Sequence, residues 1–343
     1  MPIWVILLAV VLICFVFTLT NGLHDASSVV ATIITSGAAT PQQAIVLASV
    51  FGLIGAVFGG NQVADTISSL VDLPANQSLL PILFAAIIGA VVWNLLTWKL
   101  GLPSSSTHAL VGGLIGSVMV AAGSSHILWG FSDLVASGHH ITGIVKIVAS
   151  LVLSPVLGFG LAFLLGKISK LIFRNAKFTL NRWLGRVQWV FSAGLAFNHG
   201  ANDTQKIIGI IVLAIAAANG TSVSTAPLWV RIGGGCVMFA GTLLGGWSIM
   251  KTIGRGIYDI KPVHSVNSQL ASASSVLFAN LTGAPVSTTH VVVGSVMGVG
   301  AADEYRMVHW GIVKEIIVSW VITIPLAALV SAGVYALMKL VLF

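Results

Sequence analysis

Two carboxylates stand in apolar surroundings, Asp25 in Asn21-Gly-Leu-His-Asp25 and Asp203 in His199-Gly-Ala-Asn-Asp203. At mid-bilayer depth a carboxylate costs about 2.5–3.5 kcal/mol on insertion scales, so each needs a cation, a proton or a fixed partner. Asn21, Asn198, Asn202 and Ser28 add neutral oxygens of the kind a hard cation such as Na⁺ takes. Asp25, Ser28, Asn202 and Asp203 form the candidate cation-binding set. His24 adjoins Asp25 and is a candidate for proton coupling, because imidazole titrates near neutral pH; packing alone is the competing explanation. Gln205 and Lys206 follow Asp203 within one helical turn. Lys206 either neutralises charge on a bound anion or pairs with Asp203.

A second constellation also occurs twice, as Gly101-Leu-Pro-Ser-Ser-Ser-Thr-His108 and Gly283-Ala-Pro-Val-Ser-Thr-Thr-His290. Proline, then hydroxyl residues, then a small apolar run is a helix start with its N-cap. Such a start offers free backbone N–H groups, hydroxyls and the positive end of a helix dipole, which together suit an anion. Ser105, Ser106, Thr107, Ser287, Thr288 and Thr289 are therefore candidates to hold an oxyanion between two hairpins. Ordinary capping at a membrane surface is the bland alternative. His108 and His290 are expected to brace the hairpins by hydrogen bonding rather than ligate a metal. Cys14 and Cys236 both lie in apolar runs, so neither a disulfide nor a metal cluster is expected.

The elements that must position these residues are membrane helices. Of 343 residues, 57% are hydrophobic and 7% charged, against roughly a quarter charged in soluble domains, and mean hydropathy is +1.01. The fold class is an all-α polytopic membrane protein, with about ten segments near 4–36, 41–60, 79–99, 101–122, 141–166, 188–218, 227–250, 263–282, 283–301 and 308–338. The first and sixth are too long for a simple span and carry the aspartates mid-way, so broken helices are expected there. Re-entrant, hairpin-like turns are expected at the Pro-Ser/Thr motifs. The apolar run 2–19 lacks a basic leader and a cleavage signal, and is expected to be a retained span.

The net charge of +7 does not indicate nucleic acid, since six basic residues and no acidic ones fall between Lys167 and Arg186. Such a loop between apolar spans is ordinarily cytoplasmic, which puts both termini outside. The aspartate motifs recur 178 residues apart and the hydroxyl motifs 182 apart, in the same order. Five segments per half make the second copy enter from the opposite face: an inverted-topology repeat, as in many secondary transporters. The expected organisation is a first repeat over 1–166, a basic cytoplasmic linker over 167–186 and a second, inverted repeat over 187–343.

At Gly22-Leu-His-Asp25, Gly200-Ala-Asn-Asp203-Thr-Gln-Lys206, Pro103–His108 and Pro285–His290 the chain resembles the inorganic phosphate transporter (PiT) family. The resemblance spans nearly the whole chain. The long hydrophilic insertion of eukaryotic members is absent, so it is similar to a compact prokaryotic permease. The resemblance implies uptake of inorganic phosphate across the cell membrane, coupled to H⁺ or Na⁺ through alternating access, usually in a homodimer. It implies that Asp25 and Asp203 serve the coupling ion and phosphate, with the six hydroxyl residues, Gln205 and Lys206 on the substrate side. No enzymatic activity, cofactor or resident metal is implied. A sulfate or other oxyanion permease is the nearest alternative. An intramembrane hydrolase is remote, because no Gly-x-Ser-x-Gly elbow occurs.

Overall fold

The computed structural model describes residues 2–102, 104–135, 141–221, 223, 225–245, 250 and 252–342. Pro103 of the first hydroxyl motif lies outside the described residues. The first half runs α1 (Ile3–Thr35), α2 (Pro41–Phe58), α3 (Gln62–Ser68), α4 (Leu79–Leu100), α5 (Ser106–Ala121), α6 (Phe131–Val135) and α7 (Gly143–Ile172). The second runs α8 (Leu180–Asn219), α9 (Leu228–Leu244), α10 (Pro262–Leu281), α11 (Thr288–Glu304) and α12 (Trp310–Leu342). Each of the ten expected segments coincides with one of these helices.

Among the described residues, six helices are long and apolar enough to cross a membrane: α1, α2, α4, α7, α8 and α12. At 1.5 Å per residue, the 16 residues of α5 reach roughly 24 Å, short of a hydrocarbon core of about 30 Å. By contrast, α10 is long enough but polar, and it buries His264, Ser265, Asn267, Ser268, Gln269 and Ser272 inside the protein. Ten positions in the sequence thus resolve into six full-length spans and four shorter or more polar helices that fill the space between them.

The expected breaks at the aspartates do not occur. Both α1 and α8 are continuous α-helices, of 33 and 40 residues, through Asp25 and Asp203. The interruptions lie instead between α4 and α5 and between α10 and α11. There Gly101 and Gly283 adopt φ of 68° and 63°, a left-handed conformation that costs glycine nothing and other residues about 1 kcal/mol or more. The chain then turns through the hydroxyl motifs, and Ser105 and Ser287 cap the new helices by accepting from the backbone N–H of His108 and His290.

The two halves interlock. The short α5 of the first half packs on α12 of the second, and α11 of the second packs on α7 of the first. Likewise α1 crosses α9, and α8 crosses α2. At these crossings Gly22 and Gly200, each three residues before its aspartate, bring backbone against backbone. A Cβ on Gly22 would lie 2.8 Å from the Met238 carbonyl oxygen, and one on Gly200 would lie 2.0 Å from that of Gly52. The glycine of each aspartate motif is thus the contact that sets the height and rotation of the helix carrying the carboxylate.

Helices α7 and α8 extend into the basic linker and leave only 173–179 between them. Beside it, Asp303 at the end of α11 ties three segments together. It meets Lys170 of α7 at 2.9 Å and His264 of α10 at 3.3 Å, and accepts the Tyr258 hydroxyl at 2.8 Å. Partial burial would raise the Asp303 pKa, but the Lys170 and Tyr258 hydrogen bonds and the nearby His264 outweigh it and bring it down to about 2. The carboxylate is depressed in the fold, so its stabilisation is complete above the unfolded value near 4 and is lost as pH falls toward 2. Asp303→Asn is expected to cost on the order of 1 kcal/mol at neutral pH and to flatten this acid limb of the melting temperature. An acid limb as steep as that of the wild type would contradict it.

Candidate functional site

Asp25 and Asp203, with Lys206, are the only Asp, Glu, Lys or Arg side chains that are buried among the described residues. All three stand where the hairpin tips of both halves meet α1 and α8. Asp25 is held by three donors: His24 Nδ1 and Thr289 Oγ1, each 2.9 Å from Oδ1, and Ser106 Oγ, 2.9 Å from Oδ2. Ser106 opens α5 and Thr289 lies in the first turn of α11, so one carboxylate collects hydroxyls from both halves of the chain.

Asp203 has different company. Its Oδ1 is in direct contact with the ammonium of Lys206, and its Oδ2 accepts from Asn21 Nδ2 at 3.0 Å. His199 Nδ1 lies 3.4 Å from Oδ2 and 3.2 Å from Thr288 Oγ1. Lys206 also donates to the Val286 carbonyl at 2.9 Å, and the Thr107 hydroxyl donates to that same oxygen at 2.9 Å. Asn21 precedes Asp25 by one helical turn, so the two carboxylates are linked through the same stretch of α1.

The residue before each aspartate braces the turn of its own half. His24 Nε2 lies 3.3 Å from Ser104 Oγ and 3.4 Å from Thr97 Oγ1. Asn202 donates to Asn280 Oδ1 at 2.7 Å and to the Ala284 carbonyl at 3.2 Å, and its own oxygen accepts from the Val286 N–H at 3.3 Å. Asn202 is therefore turned to the second tip. Ser28 donates to the Asp25 backbone carbonyl within α1. Gln205 faces away as well, accepting from Val63 N–H and donating to the Gly59 carbonyl between α2 and α3. Ser105 and Ser287 are engaged as caps.

Of the thirteen candidate residues, the structure thus gathers His24, Asp25, Ser106, Thr107, Asp203, Lys206, Thr288 and Thr289 around the two carboxylates. Four further residues join them: Asn21, Thr97, Ser104 and His199. The repeat itself carries a signal for one of these, because His199 occupies the position that Asn21 holds in the first half. The His108 and His290 rings meet at a tilt, 4.8 Å between centroids, and His290 stacks on the Trp320 ring at 3.6 Å. They join the two hairpins by ring contact and not by the expected hydrogen bonds, since His108 Nδ1 and both ring nitrogens of His290 have no hydrogen-bond partner among the described residues.

This arrangement presents two carboxylates, one ammonium and a ring of hydroxyls at two helix N-termini. With the imidazoles of His24 and His199 neutral, one negative charge is left over. Asn21 Oδ1 and His199 Nε2 are buried with no hydrogen-bond partner among the described residues. They are two of thirteen such atoms among the described residues, and water or an ion ordinarily completes buried polar groups of this kind.

The phosphate transporter family model matches residues 21–331. A probable low-affinity inorganic phosphate transporter of Bacillus subtilis is 38% identical over 346 residues, covering 99% of this chain and 100% of that one. A protein of the same description from Rhizobium meliloti is 37% identical, with 96% of each chain covered. Among solved structures, the sodium-dependent phosphate transporter superposes with a TM-score of 0.85 at 27% identity, covering 98% of this chain and 100% of the other.

Proposed function

The chain belongs to the phosphate transporter family, a family of permeases rather than enzymes, and from that premise we propose that it imports inorganic phosphate together with a cation, H⁺ or Na⁺. The observation that carries the proposal is Asp25, whose carboxylate accepts the hydroxyls of Ser106 and Thr289 from the two hairpin tips. A phosphate between the tips takes hydroxyls and backbone N–H groups from α5 and α11, and both helix dipoles favour its charge. The cation neutralises Asp25. Opening and closing of the tips on alternate sides then exposes the pocket to one face at a time, as expected of halves related by an inverted repeat. In this reading the basic stretch 167–186 is cytoplasmic, both termini are outside, and the working unit is a homodimer.

The carboxylate also favours phosphate over sulfate. Near neutral pH phosphate retains a P–OH donor, and sulfate has none. A site that pairs a substrate hydroxyl rejects an analogue lacking it by about 10⁴–10⁵. The test is uptake of radiolabelled phosphate into proteoliposomes, with Na⁺ and pH gradients imposed separately. Concentrative uptake driven by one gradient, competed by arsenate and indifferent to excess sulfate, is expected. Uptake that only equilibrates, or that sulfate blocks as well as arsenate does, would refute cation-coupled phosphate import.

A further inference from the structure

Superposing the aspartate motifs of the two halves places Ser28 and Lys206 at the same position, three residues beyond the carboxylate. They behave differently. Ser28 turns its hydroxyl onto its own helix, 2.7 Å from the Asp25 carbonyl oxygen. Asp25 is left with one imidazole and two hydroxyls, and no ammonium or guanidinium touches it among the described residues. Lys206, fully buried, places its ammonium between Asp203 Oδ1 and the carbonyl oxygen of Val286, which the Thr107 hydroxyl also reaches. One carboxylate oxygen and one backbone carbonyl, with a hydroxyl alongside, form an oxygen set suited to a hard cation. The amide of Asn21, bound to the other Asp203 oxygen through its nitrogen, adds a buried oxygen that has no hydrogen-bond partner among the described residues.

We propose that Lys206 is a tethered counter-ion: its ammonium fills the monovalent-cation position of the second half, so that only the Asp25 side takes a mobile cation and one cation accompanies each phosphate. This inference rests on the reading of the protein as a cation-coupled phosphate carrier and adds the residue that sets its stoichiometry. The charge is the same as that of Na⁺ or H₃O⁺, but a side chain fixed to α8 cannot be released on the far side. The two-fold pattern of the sequence offers two carboxylate sites, and lysine converts one of them from a transport site into a structural one.

The decisive variant is Lys206→Ser, which gives both halves the same residue. Two measurements bear on it. Thermal melting of the purified protein, in Na⁺ against choline, reads cation binding without reference to transport. Na⁺ is expected to raise the melting temperature of Lys206→Ser by a few degrees more than that of the wild type, since a ligand that binds only the native state stabilises by mass action. Phosphate uptake into proteoliposomes is expected to become steeper in driving cation, its Hill coefficient moving from near one toward near two. Equal Na⁺ shifts in variant and wild type would overturn the proposal. So would a raised KM for phosphate with unchanged cation dependence, which would make Lys206 a direct phosphate ligand. If Lys206→Ser does not fold in either salt, Lys206→Gln, which keeps a hydrogen-bond donor without the charge, carries the same two readouts. If the wild type moves no phosphate, the transport reading fails while the melting comparison still decides the cation site.

Discussion

Asp25→Asn is expected to lower phosphate uptake by roughly ten- to a hundredfold while leaving a folded protein. The fold survives because the amide keeps the shape, and the hydroxyls of Ser106 and Thr289 rotate to accept as readily as they donate. What disappears is the charge. Hydrogen bonds to an ionised group contribute about 1.5–3 kcal/mol each, and every 1.4 kcal/mol is roughly tenfold in affinity. Losing the charge that holds the cation therefore removes roughly 10–10² in occupancy of the loaded state. Uptake into proteoliposomes, beside a size-exclusion profile and melting curve matching the wild type, is the measurement. Near-normal transport would remove Asp25 from the mechanism and with it the shared pocket.

The sequence exposed the parts of this site that repeat and concealed the parts that depend on partners. Helix positions were legible because apolar runs and their Pro-Gly punctuation are local. The expected 4–36 segment is the observed Ile3–Thr35, and 101–122 contains Ser106–Ala121. A helix start within each Pro-Ser/Thr motif followed from residue type and spacing, but that Ser105 and Ser287 are the residues taken up as caps did not. The helix breaks were misplaced because a polar cluster in an apolar run admits two remedies: the backbone unwinds to meet it, or other helices bring side chains to it. The second holds here. Thr289 reaches Asp25 across 264 residues and Asn21 reaches Asp203 across 182, pairings that no local pattern reveals. Neighbours in sequence also parted company. Gln205 and Lys206 differ by about 100° around α8, so one serves the α2–α3 junction and the other Asp203. Asn202 counted as a cation ligand by type, but its rotation about the same helix turns it to the Asn280–Val286 turn.

Asp203→Asn is expected to fail in a different way from Asp25→Asn, by loss of folded protein. Lys206 is fully buried, and its ammonium has two partners, the Asp203 carboxylate and the Val286 carbonyl. Replacing the carboxylate by an amide leaves a cation in the bilayer interior with only neutral oxygens around it. Breaking a buried pair from one side costs about 3–5 kcal/mol, a large share of a typical stability margin of about 5–15 kcal/mol. The single variant should therefore express poorly, aggregate in detergent and melt well below the wild type. Adding Lys206→Met removes the stranded charge with nearly the same volume, so the double variant Asp203→Asn/Lys206→Met should recover most of the lost melting temperature. The coupling between the two positions, read from the four melting curves, measures the buried pair directly. Additive losses would mean that the ammonium draws its stability from elsewhere, and the asymmetry between the two halves would then need another origin. Strong recovery would instead make Asp203 a fixed partner and leave Asp25 as the carboxylate with a charge to exchange.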